Sequence, residues 1–178
     1  MCSDITIDAK TGFTPTESKP DYALKTFAEI IEFRANTEPD KQAFAYFLDG
    51  EEEHISWSYR DLKNAIAFVA EKLNKNQVEG RQVVLLFEPG LAFIAAYLAT
   101  ISSGAIAVPS HPPMGKRQIK RLRDLIDNSE PALILYSEVI KHSTPQLAQV
   151  MEDVEAKGIK FEEVNVPAKP DDLSLIHI

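Results

Sequence analysis

A chain of 178 residues with 44% hydrophobic content can bury the core of one ordinary domain. Its 19 basic and 27 acidic residues leave a net charge of −8, which argues against a general nucleic-acid binder. Cys2 is the sole cysteine, so an intrachain disulfide is excluded, and the first twenty residues hold no apolar segment of the kind a signal peptide needs; the expected setting is cytoplasmic.

Residues 1–24, with Pro15, Pro20 and many Ser, Thr and Asp, show no periodicity and read as a flexible leader. Thr26-Phe27-Ala28-Glu29 has the spacing of a capping box, in which the hydroxyl and the carboxylate each satisfy a free backbone N–H at a helix start. That helix carries Phe27, Ile30 and Ile31 on one face and should stop before Pro39. Ala43–Leu48 and His54–Trp57 read as strands around Asp49-Gly50, a pair that tolerates the positive φ of hairpin turns. Ser58 caps a second helix, with Asp61 favouring the positive end of its dipole. Leu62, Ile66, Val69 and Leu73 then face the core, and Lys63, Glu71 and Lys72 face water.

Residues 83–113 are the stretch around which the rest is organised. Val83–Phe87 is a short apolar run, Pro89 and Gly90 break it, Leu91–Ser103 is long enough for a helix, and Ala105–Val108 is apolar again before Pro109. Two strands without polar alternation flanking a helix apolar on nearly every face call for cover on both sides, as in a parallel βαβ unit. Gly104 is the expected helix stop, taking positive φ without steric cost. A membrane span would need an unbroken run of about 20 apolar residues, and Glu88-Pro89-Gly90 and Ser102-Ser103-Gly104 divide the stretch into shorter pieces.

Pro112, Pro113 and Gly115 then form a bend, and Lys116–Ser129 resumes helical spacing through Ile119, Leu122, Leu125 and Ile126. Ala132–Tyr136 is a third buried-type strand. Leu147, Val150, Met151 and Val154 mark a further amphipathic helix, and Ile159–Val164 alternates like an outer strand. Strands alternating with helices over this length predict an α/β fold with a mostly parallel, doubly wound sheet and an N-terminal β-hairpin.

The sequence holds no G-x-G-x-x-G, no P-loop, no G-x-S-x-G and no Cys/His cluster at metal spacing. Of the histidines, His54, His111, His142 and His177, only His111 falls where an open α/β sheet places ligands, at the carboxyl end of a strand; its plainer role is to shape the bend. Lys116, Arg117, Lys120, Arg121 and Arg123 gather on one helix, either as a solvated face supported by Asp124 and Asp127 or as a contact for an acidic partner. The closing Leu173–Ile178 follows Lys169-Pro170-Asp171-Asp172 without a cap or polar tail and matches one reading frame of a transposon end used in preparing sequencing libraries; it is expected to be non-native.

TFAEIIEFRANTEPDKQAFAYFLDGEEE (26–53), SWSYRDLKNAIAFVAEKL (56–73), EGRQVVLLFEPGLAFIAAYLATISSGAIAVPSHPP (79–113) and RLRDLIDNSEPALIL (121–135) together resemble the opening of a fatty acyl-AMP ligase. That group belongs to the adenylate-forming superfamily of acyl-CoA synthetases, luciferases and peptide-synthetase adenylation domains. The double proline after Ala-Val-Pro, the Phe-Leu-Asp-Gly-Glu hairpin and the Arg-Leu-Arg helix resemble the fatty acyl-AMP ligases more than the CoA ligases. Ser110-His111 departs from the small residue and tyrosine more usual there.

The resemblance implies that 25–172 is the N-terminal part of an AMP-binding domain, after a leader at 1–24 and before the tail at 173–178. It implies a reaction of fatty acid with ATP, aided by Mg2+, to acyl-AMP and pyrophosphate, with transfer to the phosphopantetheine thiol of an acyl carrier protein. The family's Thr/Ser/Gly-rich ATP loop would follow Pro170–Leu173, so no catalytic, cofactor-binding or metal-binding residue is assigned to this chain, which alone is expected to be inactive. The alternatives are a fragment of an acyl-CoA synthetase or peptide-synthetase adenylation domain, and a short non-catalytic α/β binding module.

Overall fold

The structure, a computed structural model, describes residues 26–47, 54–138, 140 and 145–167. The leader at 1–24, Leu48 and the Asp49-Gly50 turn, His142, and the tail with His177 lie outside the described residues.

Both expected capping boxes open helices. Before α1 (Phe27–Thr37), Thr26 N–H donates to Glu29 Oε2 at 2.9 Å and Glu29 N–H donates to Thr26 Oγ1 at 3.2 Å. Before α2 (Tyr59–Lys75), Ser58 N–H donates to Asp61 Oδ2 at 2.8 Å and Asp61 N–H to Ser58 Oγ at 3.2 Å. Between these helices β1 (Gln42–Phe47) and β2 (His54–Ser58) pair antiparallel from Phe47 opposite His54 to Gln42 opposite Ser58, with a bulge between Gln42 and Phe44.

Next come β3 (Gln82–Leu86), α3 (Leu91–Ser102), β4 (Ile106–Ser110), α4 (Lys116–Ser129), β5 (Leu133–Tyr136), α5 (Pro145–Glu155) and β6 (Lys160–Glu163). The four strands form one parallel sheet in the order β4-β3-β5-β6. Side chains alternate across its faces. Val83, Leu85, Leu133 and Leu135 pack with Leu62, Val69 and Leu73 of α2 and Ala95, Ala96 and Ala99 of α3. Val84, Leu86, Ile134 and Tyr136 pack on the other face with Ile119, Leu122 and Ile126 of α4 and Leu147, Val150 and Val154 of α5. Helices on both faces make the sheet doubly wound, and they explain why β3 and β5 read as unbroken apolar runs. Three buried alanines of α3, Ala95, Ala96 and Ala99, present little bulk to its neighbours, and the buried Thr100 hydroxyl donates to the Ala96 carbonyl at 2.7 Å, so it costs no unsatisfied polar atom.

Gly104 stops α3 with φ 70°, the left-handed conformation expected of it. Its neighbour β4 corrects the sequence reading. Where the sequence predicts cover on both faces of Ala105–Val108, β4 is one edge of the sheet among the described residues, and Ile106 is 54% exposed. Ile106 N–H donates to the Arg81 carbonyl at 2.9 Å, so alternation along the ladder turns Ala107 and Pro109 outward. The imino nitrogen of Pro109 thus falls on the open side, where a missing donor breaks no ladder bond. The apolar face of α1 is likewise only partly covered: Ile31 packs on the core while Phe27 is 63% exposed. Lys72 does not simply face water, since its Nζ lies 2.9 Å from Glu162 of β6 and over the Phe68 ring.

Candidate functional site at the carboxyl end of the sheet

All four parallel strands end at one edge, and the order reverses between β3 and β5: β3 leads through α3 to β4 on one side while β5 lies on the other. Open α/β sheets bind ligands in the crevice beyond such a reversal. The β3 loop supplies Phe87, buried, then exposed Glu88 and Pro89, and Gly90 with φ 156°, from which α3 starts without a side-chain cap or an acid in its first turn. The β4 loop supplies exposed His111, buried Pro112 and Pro113, exposed Met114, and Gly115. The two buried prolines anchor the bend, as the sequence led one to expect. His111 stands at the strand end, its carbonyl 3.4 Å from the Ser110 hydroxyl, whereas His54 lies in β2 on the antiparallel pair.

Beyond β5 and β6 is a polar brace that sequence reading missed. The Tyr136 hydroxyl donates to Glu163 Oε2 at 3.2 Å, and Asn165 Nδ2 donates to Glu163 Oε1 at 3.0 Å and to Glu138 Oε2 at 3.2 Å. Glu138 N–H returns a bond to Asn165 Oδ1 at 3.3 Å. One amide therefore bridges two carboxylates and ties the ends of two strands. Tyr136 and Glu163, like Glu138 and Asn165, are 27 residues apart, and no local spacing could have announced their contacts.

The first turns of α4 carry the charge at this end. Ile119, Leu122 and Ile126 bury one face, while Lys116, Arg117, Lys120 and Arg121 are exposed on the opposite one and form no ion pair within 4 Å among the described residues. Arg123 differs, meeting Asp153 of α5 at 2.6 Å. Asp127, expected to support the basic face, instead pairs with Lys157 at 2.6 Å. The carboxylates held below their ordinary range lie elsewhere, on α1, α2 and the turn after α1: Glu38 by hydrogen bonds from Arg34 and Lys41, Glu32 by Lys63 and Asn36, and Glu71 by Lys75. Among the described residues no three His, Cys, Asp or Glu side chains gather as a metal site, and no helix is long and apolar enough to cross a membrane.

A doubly wound parallel sheet whose loops gather at its carboxyl end defines an open α/β fold of the class that places ligands at that edge. Residues 31–176 match the family of AMP-binding enzymes, and the chain belongs to that family. It is 30% identical over 152 residues to JamA, a medium-chain fatty acid ligase for acyl carrier protein from Moorena producens, covering 81% of this chain and 24% of that one. It is 31% identical over 123 residues to TtuA, a ligase of the same description from Teredinibacter turnerae, covering 68% of this chain and 19% of that one. The crystal structure of the fatty acyl-adenylate ligase of L. pneumophila, in complex with acyl adenylate and pyrophosphate, superimposes with a TM-score of 0.61 at 30% identity, over 71% of this chain and 23% of that one. The chain thus spans about a fifth to a quarter of the length of these three relatives.

Proposed function

We propose that this chain is the N-terminal part of a cytoplasmic fatty acyl-AMP ligase: a leader at 1–24, part of the AMP-binding domain at 25–172, and a non-native tail at 173–178. The observation that carries the reading is the likeness, at 30% identity and a TM-score of 0.61, to a ligase crystallised with its acyl adenylate and pyrophosphate. In the whole enzyme a fatty carboxylate oxygen attacks the α-phosphorus of ATP, the bond to the bridging oxygen breaks, and pyrophosphate leaves with its electron pair. The thiol of a carrier protein's phosphopantetheine then attacks the acyl carbonyl, releasing AMP and a proton.

The part played by these residues is support. The core of β3, β5 and their helices fixes the loops at 87–90 and 111–115 on a rigid edge, as precise sites require. The described residues offer no cluster to hold the Mg2+ that adenylation uses, and no step is assigned to it.

The test is fatty-acid-dependent exchange of labelled pyrophosphate into ATP by the full-length gene product, followed by acyl transfer to holo acyl carrier protein or to coenzyme A. Exchange with fatty acids and transfer to the carrier are expected. Exchange with amino acids alone, or efficient transfer to coenzyme A, would refute the reading.

A further inference from the structure

We infer that the exposed face of the first two turns of α4, Lys116, Arg117, Lys120 and Arg121, is the electrostatic docking surface for an acidic carrier protein; the inference rests on the ligase reading above. Three observations lead there. The first is an imbalance: α4 concentrates five of the 19 cations against two carboxylates in a chain whose net charge is −8. Four of the five are exposed with no ion pair within 4 Å among the described residues, so no contact among those residues accounts for them.

The second is their placement. Cations near a helix N-terminus are opposed by the helix dipole, most strongly in the first turn, where Lys116 and Arg117 stand. Here they occupy the first two turns, and the helix has neither an acid in its first turn nor a capping side chain at Gly115. Folding alone favours the reverse arrangement, whereas an approaching anionic surface is attracted by the cations and by the dipole together.

The third is the neighbouring side chain. Met114, directly before the helix, is 71% exposed, and its backbone is held by an N–H bond to Gln118 Oε1 at 2.6 Å. A fixed loop thus presents a flexible apolar side chain at the margin of a basic stripe, the pairing of apolar contact with charged rim found at protein interfaces. The stripe begins at the carboxyl end of the sheet, on the side of the molecule where the loops after β3 and β4 emerge, so a partner seated on it stands close to the edge on which a ligand site is built. An acidic protein that must deliver a thiol to an adenylate is such a partner, and its phosphopantetheine linkage adds a phosphodiester anion.

The test uses the full-length enzyme with holo acyl carrier protein from the same organism. K120E/R121E is expected to raise the KM for the carrier about tenfold with kcat within about twofold, to leave fatty-acid-dependent pyrophosphate exchange unchanged, and to flatten the rise of KM with salt. The charge-neutral K120Q/R121Q, which carries less risk to folding, should raise KM about threefold. Unchanged KM in both variants would overturn the inference. So would co-sedimentation of the parent enzyme, but not the variant, with vesicles containing phosphatidylglycerol while the carrier KM stays constant, because the stripe would then serve an anionic membrane. Absence of fatty-acid-dependent exchange in the unaltered enzyme would instead refute the ligase reading itself, so the two failures are told apart.

Discussion

Replacing Gly104 tests how the βαβ unit turns from α3 into β4. Gly104 has φ 70°, and it is fixed from both sides: its N–H donates to the Ile101 carbonyl at 3.2 Å, and its carbonyl accepts from Gly80 N–H at 2.9 Å. A Cβ added there would meet Glu79 Cγ at 3.3 Å, but Glu79 is exposed and its side chain can give way by a few tenths of an ångström. The backbone term therefore decides the outcome. A non-glycine residue held at left-handed φ is strained by about 1–3 kcal/mol, most for a β-branched one. The smaller conformational freedom of the unfolded chain offsets roughly 0.4–1 kcal/mol of this. The net expectation is a loss of about 0.5–1 kcal/mol for Gly104→Ala and about 2 kcal/mol for Gly104→Val, with Gly104→Asn least affected because Asn tolerates this region.

At about 2–4 °C per kcal/mol for a domain of this size, the valine variant should melt about 4–8 °C lower than the parent 178-residue chain, followed by circular dichroism. Gly115→Ala is the control, since Gly115 has an extended φ of −179° and nothing lies within 4 Å of its added Cβ. An unchanged melting temperature for Gly104→Val, or an equal loss for Gly115→Ala, would refute the reasoning.

Other expectations concern the caps, the core and the surface charges. Ser58→Ala removes the acceptor for Asp61 N–H and should cost about 1 kcal/mol, read as a lower denaturation midpoint at unchanged slope. Leu85→Ala, at a fully buried position of β3, should cost about 2–5 kcal/mol, whereas Ile106→Ser on the open edge should stay within about 0.5 kcal/mol in the 178-residue chain. Glu38 is held below the ordinary carboxylate value of 4.5 by Arg34 and Lys41, so its contribution to stability is present above that pH and fades as pH falls through its folded value. Melting temperature should therefore drop more steeply on acidification below 4.5 in the parent than in Glu38→Gln; parallel curves would exclude the contribution.

Much of this architecture could be read from local chemistry. Thr26 with Glu29 and Ser58 with Asp61 announced two helix starts because a capping box lies within four consecutive residues. The runs Val83–Phe87 and Ala132–Tyr136 became the interior strands, and their lack of polar alternation fits strands covered on both faces. Strand order was not legible in that way. Ala105–Val108 looks as apolar as its neighbours, yet β4 is an edge, and the one local hint was Pro109, which an interior ladder would exclude. Phe27 and Ile30 fell on the expected helical face but remain exposed, because periodicity names a face and not what covers it.

The carboxyl end was legible only in part. The Pro112-Pro113 bend and the basic helix were visible, since each is contiguous in sequence. The brace joining Tyr136, Glu138, Glu163 and Asn165 was not, because it arises from the parallel register of β5 with β6. Asp127 is a second case: local spacing offers it the cations of its own helix, whereas the packing of α4 beside α5 brings it Lys157 at 2.6 Å.

On the proposed reading these residues are scaffold for adenylation and not its chemistry. This is tested most directly by assaying fatty-acid-dependent ATP–pyrophosphate exchange with the purified 178-residue chain beside the full-length gene product. Exchange by the full-length protein and none by the chain alone is the expected result. Exchange catalysed by the 178-residue chain would contradict it, and would require catalytic groups among residues to which none has been assigned.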